Sequence, residues 1–243
     1  MRGARAAQKA ELDHKVMRRV YVFSLPIRFF HWINAPAIIV LIVTGLIMAN
    51  PPAIQQGQEA SFGYWFGTVR FIHFASAYIF TVGFAFRMYW MFAGNKYERW
   101  ENFISMNKAF WKDLVKVIQM DVLLKKNKQH FAIDHNALAG FSYFMLFVLM
   151  LLMVLTGFAL YSSMSPSWFP QLLDWVTGVL GGDIITRQVH HVAMWAFVIF
   201  IIIHVYLVFY HDYVEGHGEI SSMGGGWKFI EEDCLEKEDC NHE

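Results

Sequence analysis

Five histidines lie within the apolar stretches of this chain that are long enough to span a membrane: His31, His73, His190, His191 and His204. A histidine in lipid is costly, and by default it marks a functional site with a partner. Histidine is also the commonest metal ligand and a carrier of protons near neutral pH. The positions of these side chains therefore predict metal or proton chemistry in the apolar part of the chain.

The spacing within the last apolar stretch is the most informative. His190 and His204 are 14 residues apart, which leaves them roughly 40° out of line and about 21 Å apart along a helix. His191 is 13 residues from His204 and misses alignment by roughly 140°. We therefore favour His190 as the ligand and give His191 a role at the outer surface. His211 is also in phase with His204 and remains an alternative near the membrane edge.

The elements that must position these histidines are long runs without charge. Of the 243 residues, 56% are hydrophobic and 16% are charged, against about 25% charged in an average soluble domain. The charge-free runs cover 29–58, 71–86, 135–173 and 188–211. Since about 20 apolar residues span a bilayer, we predict an all-α membrane protein, a four transmembrane helix bundle with spans at about 29–48, 71–93, 137–161 and 189–210. A large soluble helical core would rarely need four such runs.

Lysine and arginine are concentrated in residues 1–28 and in the loop between the second and third predicted spans. Because cytoplasmic loops are enriched in these residues, we predict a cytoplasmic basic segment (1–28), a membrane domain (29–210) and a cytoplasmic acidic tail (211–243). The first span lacks a cleavage motif, so we expect it to be retained. The cysteines, Cys234 and Cys240, lie in the tail and are expected to be free thiols.

Alternate spans run in opposite directions, so the histidines are expected at two depths. His73 and His190 form an outer pair, and His31 and His204 form an inner pair. Each depth offers two imidazoles, whereas a zinc site takes three or four protein ligands. A porphyrin would supply the missing four, and an iron with two histidines is saturated and suited to electron transfer. Without a C-x-x-C-H motif the two haems would be non-covalent haems b. The alternative from another class is a transporter or channel in which the histidines relay protons.

Four arginines and one glycine could complete the haem sites. Gly45 lies 14 residues after His31, where a missing side chain would let the outer porphyrin approach, although it could equally serve helix packing. Arg87 stands in the same relation to His73 and could bind a propionate of the inner haem. Three further arginines at span entrances offer the same chemistry, with snorkelling to the interface as the alternative: Arg28, Arg70 and Arg187.

Two segments of the chain resemble the signatures of a known family. The first reads Arg28-Phe-Phe-His31-Trp32-Ile and is followed by an apolar run that ends in Thr44-Gly45. The second reads Arg187-Gln-Val-His190-His191-Val-Ala-Met-Trp195 and runs on to His204. Two segments between them, which begin at Arg70 and at Asp134, also look like family segments. Residues 20 to 215 thus resemble the b-type cytochrome subunit of membrane-bound nickel-iron uptake hydrogenases.

The resemblance implies a two-haem bundle in the bacterial inner membrane, with the same four histidines as ligands. It also implies that the chain anchors the small and large hydrogenase subunits and passes electrons from the small subunit's iron-sulfur chain to the quinone pool. Since the cysteines of those subunits are absent, the chain would not oxidise hydrogen alone and would be the quinone-reducing part of a hydrogen:quinone oxidoreductase. Three residues are candidates for the quinone site, with helix capping as the alternative: Asp134, His135 and Asn136.

An alternative hypothesis has the same electron-transfer chemistry and a different electron donor. In this hypothesis the chain is the cytochrome b subunit of formate dehydrogenase or of a related respiratory reductase, which has a similar four-helix, two-haem plan. The two hydrogenase-like segments argue against it. Under each of these hypotheses we expect the chain to lie in a lipid membrane and to have no nucleic acid as a partner.

Overall fold

The computed structural model describes residues 17–52, 64–95, 98–99, 137–215 and 218–231. Four long helices in these ranges are α1 (Leu25–Ala49), α2 (Trp65–Ala93), α3 (Ala137–Ser162) and α6 (Asp183–Glu215). The short helices are α4 (Trp168–Gln171), α5 (Trp175–Leu180) and α7 (Glu219–Gly225), and the strands are β1 (Met17–Tyr21) and β2 (Trp227–Glu231). Some of the residues singled out above lie outside the described residues: Asp134, His135, Asn136, Cys234, Cys240 and the side chain of His211.

All four long helices are long and apolar enough to cross a membrane, over Leu25–Ala49, Trp65–Ala93, Gly140–Ser162 and Asp183–Tyr210. Large apolar side chains along them are exposed, among them Val82 at 68% and Ile202 at 64%. Extensive exposed apolar surface of this kind marks contact with lipid or a partner. The predicted all-α membrane architecture with four spanning helices is therefore confirmed.

Three of these helices begin four to six residues before the spans expected from the charge pattern, at Leu25, Trp65 and Asp183. As a result Arg28, Arg70 and Arg187 lie within the first two turns of their helices. The physical reason is that a charge marks where lipid gives way to the interface, whereas helical hydrogen bonding continues beyond that point. At its other end, α1 stops at Ala49, just before two prolines that disfavour further helix.

One compact unit contains most of the four long helices and consists of Pro26–Ala93 and Tyr143–Val205. Its buried core is formed by Phe80 and Phe84 of α2, Met150 of α3 and Phe197 of α6. Side chains of α1, such as Leu41, pack against this core. The four candidate haem ligands all belong to this unit.

The other unit consists of Met1–Leu25, Gly94–Ser142 and Tyr206–Glu243. In its described part β1 and β2 pair antiparallel, with Met17 opposite Glu231 and Tyr21 opposite Trp227. The sheet joins the basic N-terminal segment (1–28) to the middle of the tail (211–243). The sequence did not predict this pairing, because it depends on contacts between chain segments more than 200 residues apart.

Candidate haem sites

His31 of α1 and His204 of α6 face each other, with ring centroids 6.4 Å apart and ring planes tilted by 51°. Two imidazoles on opposite sides of one metal ion, each with a metal–nitrogen distance of about 2 Å, place their ring centres roughly 6 Å apart. Phe200 stacks on His204 at 5.4 Å, and Trp32 meets His31 edge-on at 5.1 Å. The separation of this first pair fits two axial ligands of one iron.

His73 of α2 and His190 of α6 line a single cavity of about 370 Å³. Its walls are mainly apolar and come from all four long helices. Pockets for cofactor-sized ligands usually have volumes of about 300 to 1,000 Å³. Within the described ranges, no cluster of three or more His, Cys, Asp or Glu side chains is arranged to hold a metal ion. Paired histidines without a third ligand fit haem better than zinc.

A threonine on the preceding long helix holds each histidine of this second pair. Thr44 Oγ1 lies 2.8 Å from His73 Nδ1, and Thr156 Oγ1 lies 2.8 Å from His190 Nδ1. Both threonines are buried. Sequence reasoning assigned them no role, although each stands in a Thr-Gly pair near the end of a helix that precedes a histidine-bearing helix.

Two glycines bring helix backbones close to the same two rings. A Cβ atom on Gly45 would lie 3.5 Å from His73 Cε1, and one on Gly157 would lie 3.1 Å from His190 Cε1. Both glycines line the cavity, so a side chain at either position would take up space beside a ring. The sequence identified Gly45 from its 14-residue spacing to His31 on the same helix. It missed Gly157, because the predicted third span contains no histidine from which such a spacing could be counted.

His191 also lines the cavity, but one of its ring nitrogens is engaged. The Trp195 Nε1–H donates a hydrogen bond of 3.2 Å to His191 Nε2. The neighbouring His190 is held at Nδ1 instead, which leaves its Nε2 without a hydrogen bond to the described residues. A metal binds through a free ring nitrogen, so the geometry favours His190 over His191 as the ligand.

The four arginines fall into two groups. Arg70 and Arg187 line the cavity and could meet carboxylates of a group bound there. Arg87 is buried, and its guanidinium lies 5.7 Å from the Phe147 ring centre. Neither Arg87 nor Arg28 is among the residues that line this cavity. That Arg28 and Arg87 bind haem propionates near the other pair, His31 and His204, stays a prediction.

Four membrane-crossing helices that carry paired histidines and a cofactor-sized apolar cavity define a multi-pass membrane protein of the haem-binding class. Residues 22–226 match the family model described as prokaryotic cytochrome b561. This match covers more than half of the chain, and the chain belongs to that family. Membership of a b-type cytochrome family implies haem b, and the histidine pairs and the cavity fit such a group.

The similarity to relatives extends over most of the chain. It is similar to proteins named "Probable Ni/Fe-hydrogenase B-type cytochrome subunit" from Cupriavidus necator (36% identity; 88% of each chain covered) and Azotobacter vinelandii (37%; 88% of this chain and 90% of the relative). It is also similar to the "Probable Ni/Fe-hydrogenase 1 B-type cytochrome subunit" of Escherichia coli, at 33% identity over 86% of this chain and 90% of the relative. The predicted resemblance is confirmed.

Proposed function

We propose that this chain is the di-haem membrane subunit that transfers electrons from a nickel-iron hydrogenase to quinone. The observation that carries the proposal is the presence of two separate histidine pairs in one helical unit. His31 and His204 stand with ring centroids 6.4 Å apart, and His73 and His190 share one cavity. The printed names of the relatives support hydrogenase as the electron source.

Each part of the unit has a role in this proposal. Haem b, when bound, would supply reversible one-electron exchange, and a pair of histidines would hold its iron. The two histidine pairs would hold one such group each. Arg70 and Arg187 place cations at the wall of one cavity, where they would bind carboxylates by charge-assisted hydrogen bonds. The apolar walls exclude water and retain a non-covalent group.

The charge pattern supports a direction for the transfer. Both termini would face the cytoplasm of a bacterial inner membrane, because lysine and arginine are concentrated in residues 1–28 and in the loop after the second helix. His73 and His190 would then lie on the outer side, near the hydrogenase small subunit. His31 and His204 would lie on the inner side, where quinone is reduced and takes up protons. The candidate quinone residues 134–136 stay a prediction.

A haem count with an optical spectrum tests the two-haem part of the proposal. The protein purified with its partner subunits should show a b-type alpha band in the reduced-minus-oxidised spectrum and about two haems per chain. His204→Ala and His31→Ala should each remove about half of the haem, because each variant leaves the other pair intact. If either variant retains both haems, the pairing is wrong. A protein without a b-type band would instead favour a proton relay.

The electron source needs a separate measurement. Membranes that contain this chain should reduce added quinone when supplied with hydrogen, and the hydrogenase subunits should copurify with the chain. Quinone reduction should be lost in the His204→Ala variant, whereas the hydrogenase subunits should still copurify with it and should still reduce a soluble dye. Quinone reduction driven by formate and not by hydrogen would assign the chain to a formate dehydrogenase.

A further inference from the structure

We propose that Thr44 and Thr156 are positioning residues that fix the tautomer of His73 and His190. Each threonine hydroxyl accepts the Nδ1–H of its histidine, so that Nε2 keeps the lone pair that binds iron. This inference rests on the proposed function, since it assigns these threonines to the pair expected to hold one haem. It predicts that the hydroxyls tune the electronic properties of that haem.

The direction of the two hydrogen bonds follows from the single proton that a hydroxyl can donate. Thr44 Oγ1 donates to the Val40 carbonyl oxygen at 2.6 Å, and Thr156 Oγ1 donates to the Leu152 carbonyl oxygen at 2.7 Å. The hydroxyl proton of each threonine is therefore committed to its own helix. The remaining lone pairs of each oxygen can only accept, so the facing histidine must donate from Nδ1 at 2.8 Å.

Burial makes this arrangement hard to replace. Thr156 has 0% of its surface exposed and Thr44 has 6%. Water therefore has little access to the two Nδ1 atoms if a hydroxyl is removed. A neutral imidazole with its proton on Nδ1 presents Nε2 as its only lone pair. Partners of this kind fix the orientation of a histidine ligand and raise its basicity.

The arrangement occurs twice among the residues that the structure describes, in independent helix pairs. Thr44, near the end of α1, reaches His73 on α2 over a separation of 29 residues. Thr156, near the end of α3, reaches His190 on α6 over a separation of 34 residues. In both cases a threonine bonded to its own helix meets Nδ1 of a histidine on the next long helix. One such contact could result from packing alone, but the repeat indicates a shared role.

The other histidine pair is built differently. His31 Nδ1 is buried and has no hydrogen-bond partner in the part of the chain that the structure describes. The two pairs therefore differ in the support of their ligands. A more basic ligand favours the ferric state. We expect the threonines to lower the midpoint potential of the haem between His73 and His190, which would favour onward electron transfer from that site.

Removal of the hydroxyls tests the proposal in the haem-loaded complex. Thr44→Val and Thr156→Val keep the shape of the side chain and delete the hydrogen bond. Each should raise the midpoint potential of the haem between His73 and His190 and shift the low-spin EPR signal of that haem. The haem between His31 and His204 should be unchanged. Loss of such a partner typically weakens metal binding by about 10-fold or more. A tenfold change in the ratio of ferric to ferrous binding corresponds to about 59 mV for a one-electron couple.

Matched variants separate positioning from general packing. Thr44→Ser and Thr156→Ser keep the hydroxyl and should restore the original potential and EPR signal. Thr186→Val is the control, because Thr186 is equally buried and donates a hydrogen bond of 2.9 Å to the Gly182 carbonyl oxygen, but makes no hydrogen bond to a histidine among the described residues. Thr44 and Thr156 are replaced in separate variants. If one variant fails to fold, the potential and EPR signal of the other still test the proposal.

The outcomes distinguish this inference from the proposed function. A protein with no haem would overturn both. If the valine variants bind two haems and show unchanged potentials and EPR signals, the role of the threonines is overturned and the proposed function is not. Equal shifts in the Thr186→Val control, or no recovery with serine, would also reject a positioning role.

Discussion

Replacement of Gly157 by alanine tests whether the cavity is shaped for a flat group beside His190. An added Cβ atom would lie 3.1 Å from His190 Cε1, closer than ordinary van der Waals contact, so the ring must move by a few tenths of an ångström. The ring cannot move freely, because the adjacent Thr156 holds its Nδ1 at 2.8 Å. We therefore expect Gly157→Ala to reduce haem retention at this site.

Two effects act on this variant, and only the second changes haem retention. Alanine stabilises a helix interior by about 0.5–1 kcal/mol relative to glycine whether or not haem is bound, whereas overpacking costs about 1–3 kcal/mol. If the overpacking acts on the bound state, haem retention weakens by roughly 5- to 150-fold. At limiting haem this should appear as a loss of up to about half of the b-type absorbance, since only one of the two proposed sites is affected.

Two other glycines provide a graded series for this experiment. At Gly45 the added Cβ atom would lie 3.5 Å from His73 Cε1, an ordinary contact, and at Gly67 it would meet nothing within 4 Å. Gly45→Ala should thus keep or slightly raise the thermal stability of the haem-free protein and still lose haem, because it narrows the cavity. Gly67→Ala should change neither. Full haem occupancy in both Gly157→Ala and Gly45→Ala would refute the role of these glycines in shaping a haem site.

Two further variants examine the same helical unit. His190→Ala should remove about half of the haem while His191→Ala retains both, because His191 Nε2 is already engaged by Trp195; a haem count that falls in the second variant and not in the first would reverse the ligand assignment. Gly83→Ala should lower the stability to thermal unfolding in detergent by about 1–3 kcal/mol, because the new Cβ would overlap the amide of Asn34. The double variant with Asn34→Ala should recover part of this loss, and purely additive effects would contradict the contact.

The lengths of the charge-free runs and the spacing of histidines were enough to predict the main architecture and the helix face on which some residues lie. Four charge-free runs predicted four spanning helices, and the structure has four helices of sufficient length and hydropathy. The 14-residue spacing in α6 put His190 and His204 on one face. The helix ends were less predictable, because Arg28 and Arg187 lie inside their helices and not before them.

Other parts of the site depend on which helices are neighbours, and the sequence does not encode this locally. A threonine in an apolar helix bonds by default to the carbonyl oxygen four residues earlier, so nothing in α1 alone indicates that Thr44 also reaches a histidine on α2. The same holds for Gly157, whose importance appears only once α3 is placed beside His190. The β1–β2 sheet is a further case, since its strands come from opposite ends of the chain.

The threonine and the glycine of each pair act on one edge of the same imidazole. Thr156 holds Nδ1 of His190, and the space left by Gly157 lies against Cε1, the carbon between the two ring nitrogens. A Cβ atom there would also lie 4.0 Å from Nε2, the nitrogen proposed to bind iron. The two residues should therefore give different signatures. Loss of the hydroxyl should change the potential of a haem that is still bound, whereas an added methyl group should change how much haem is bound.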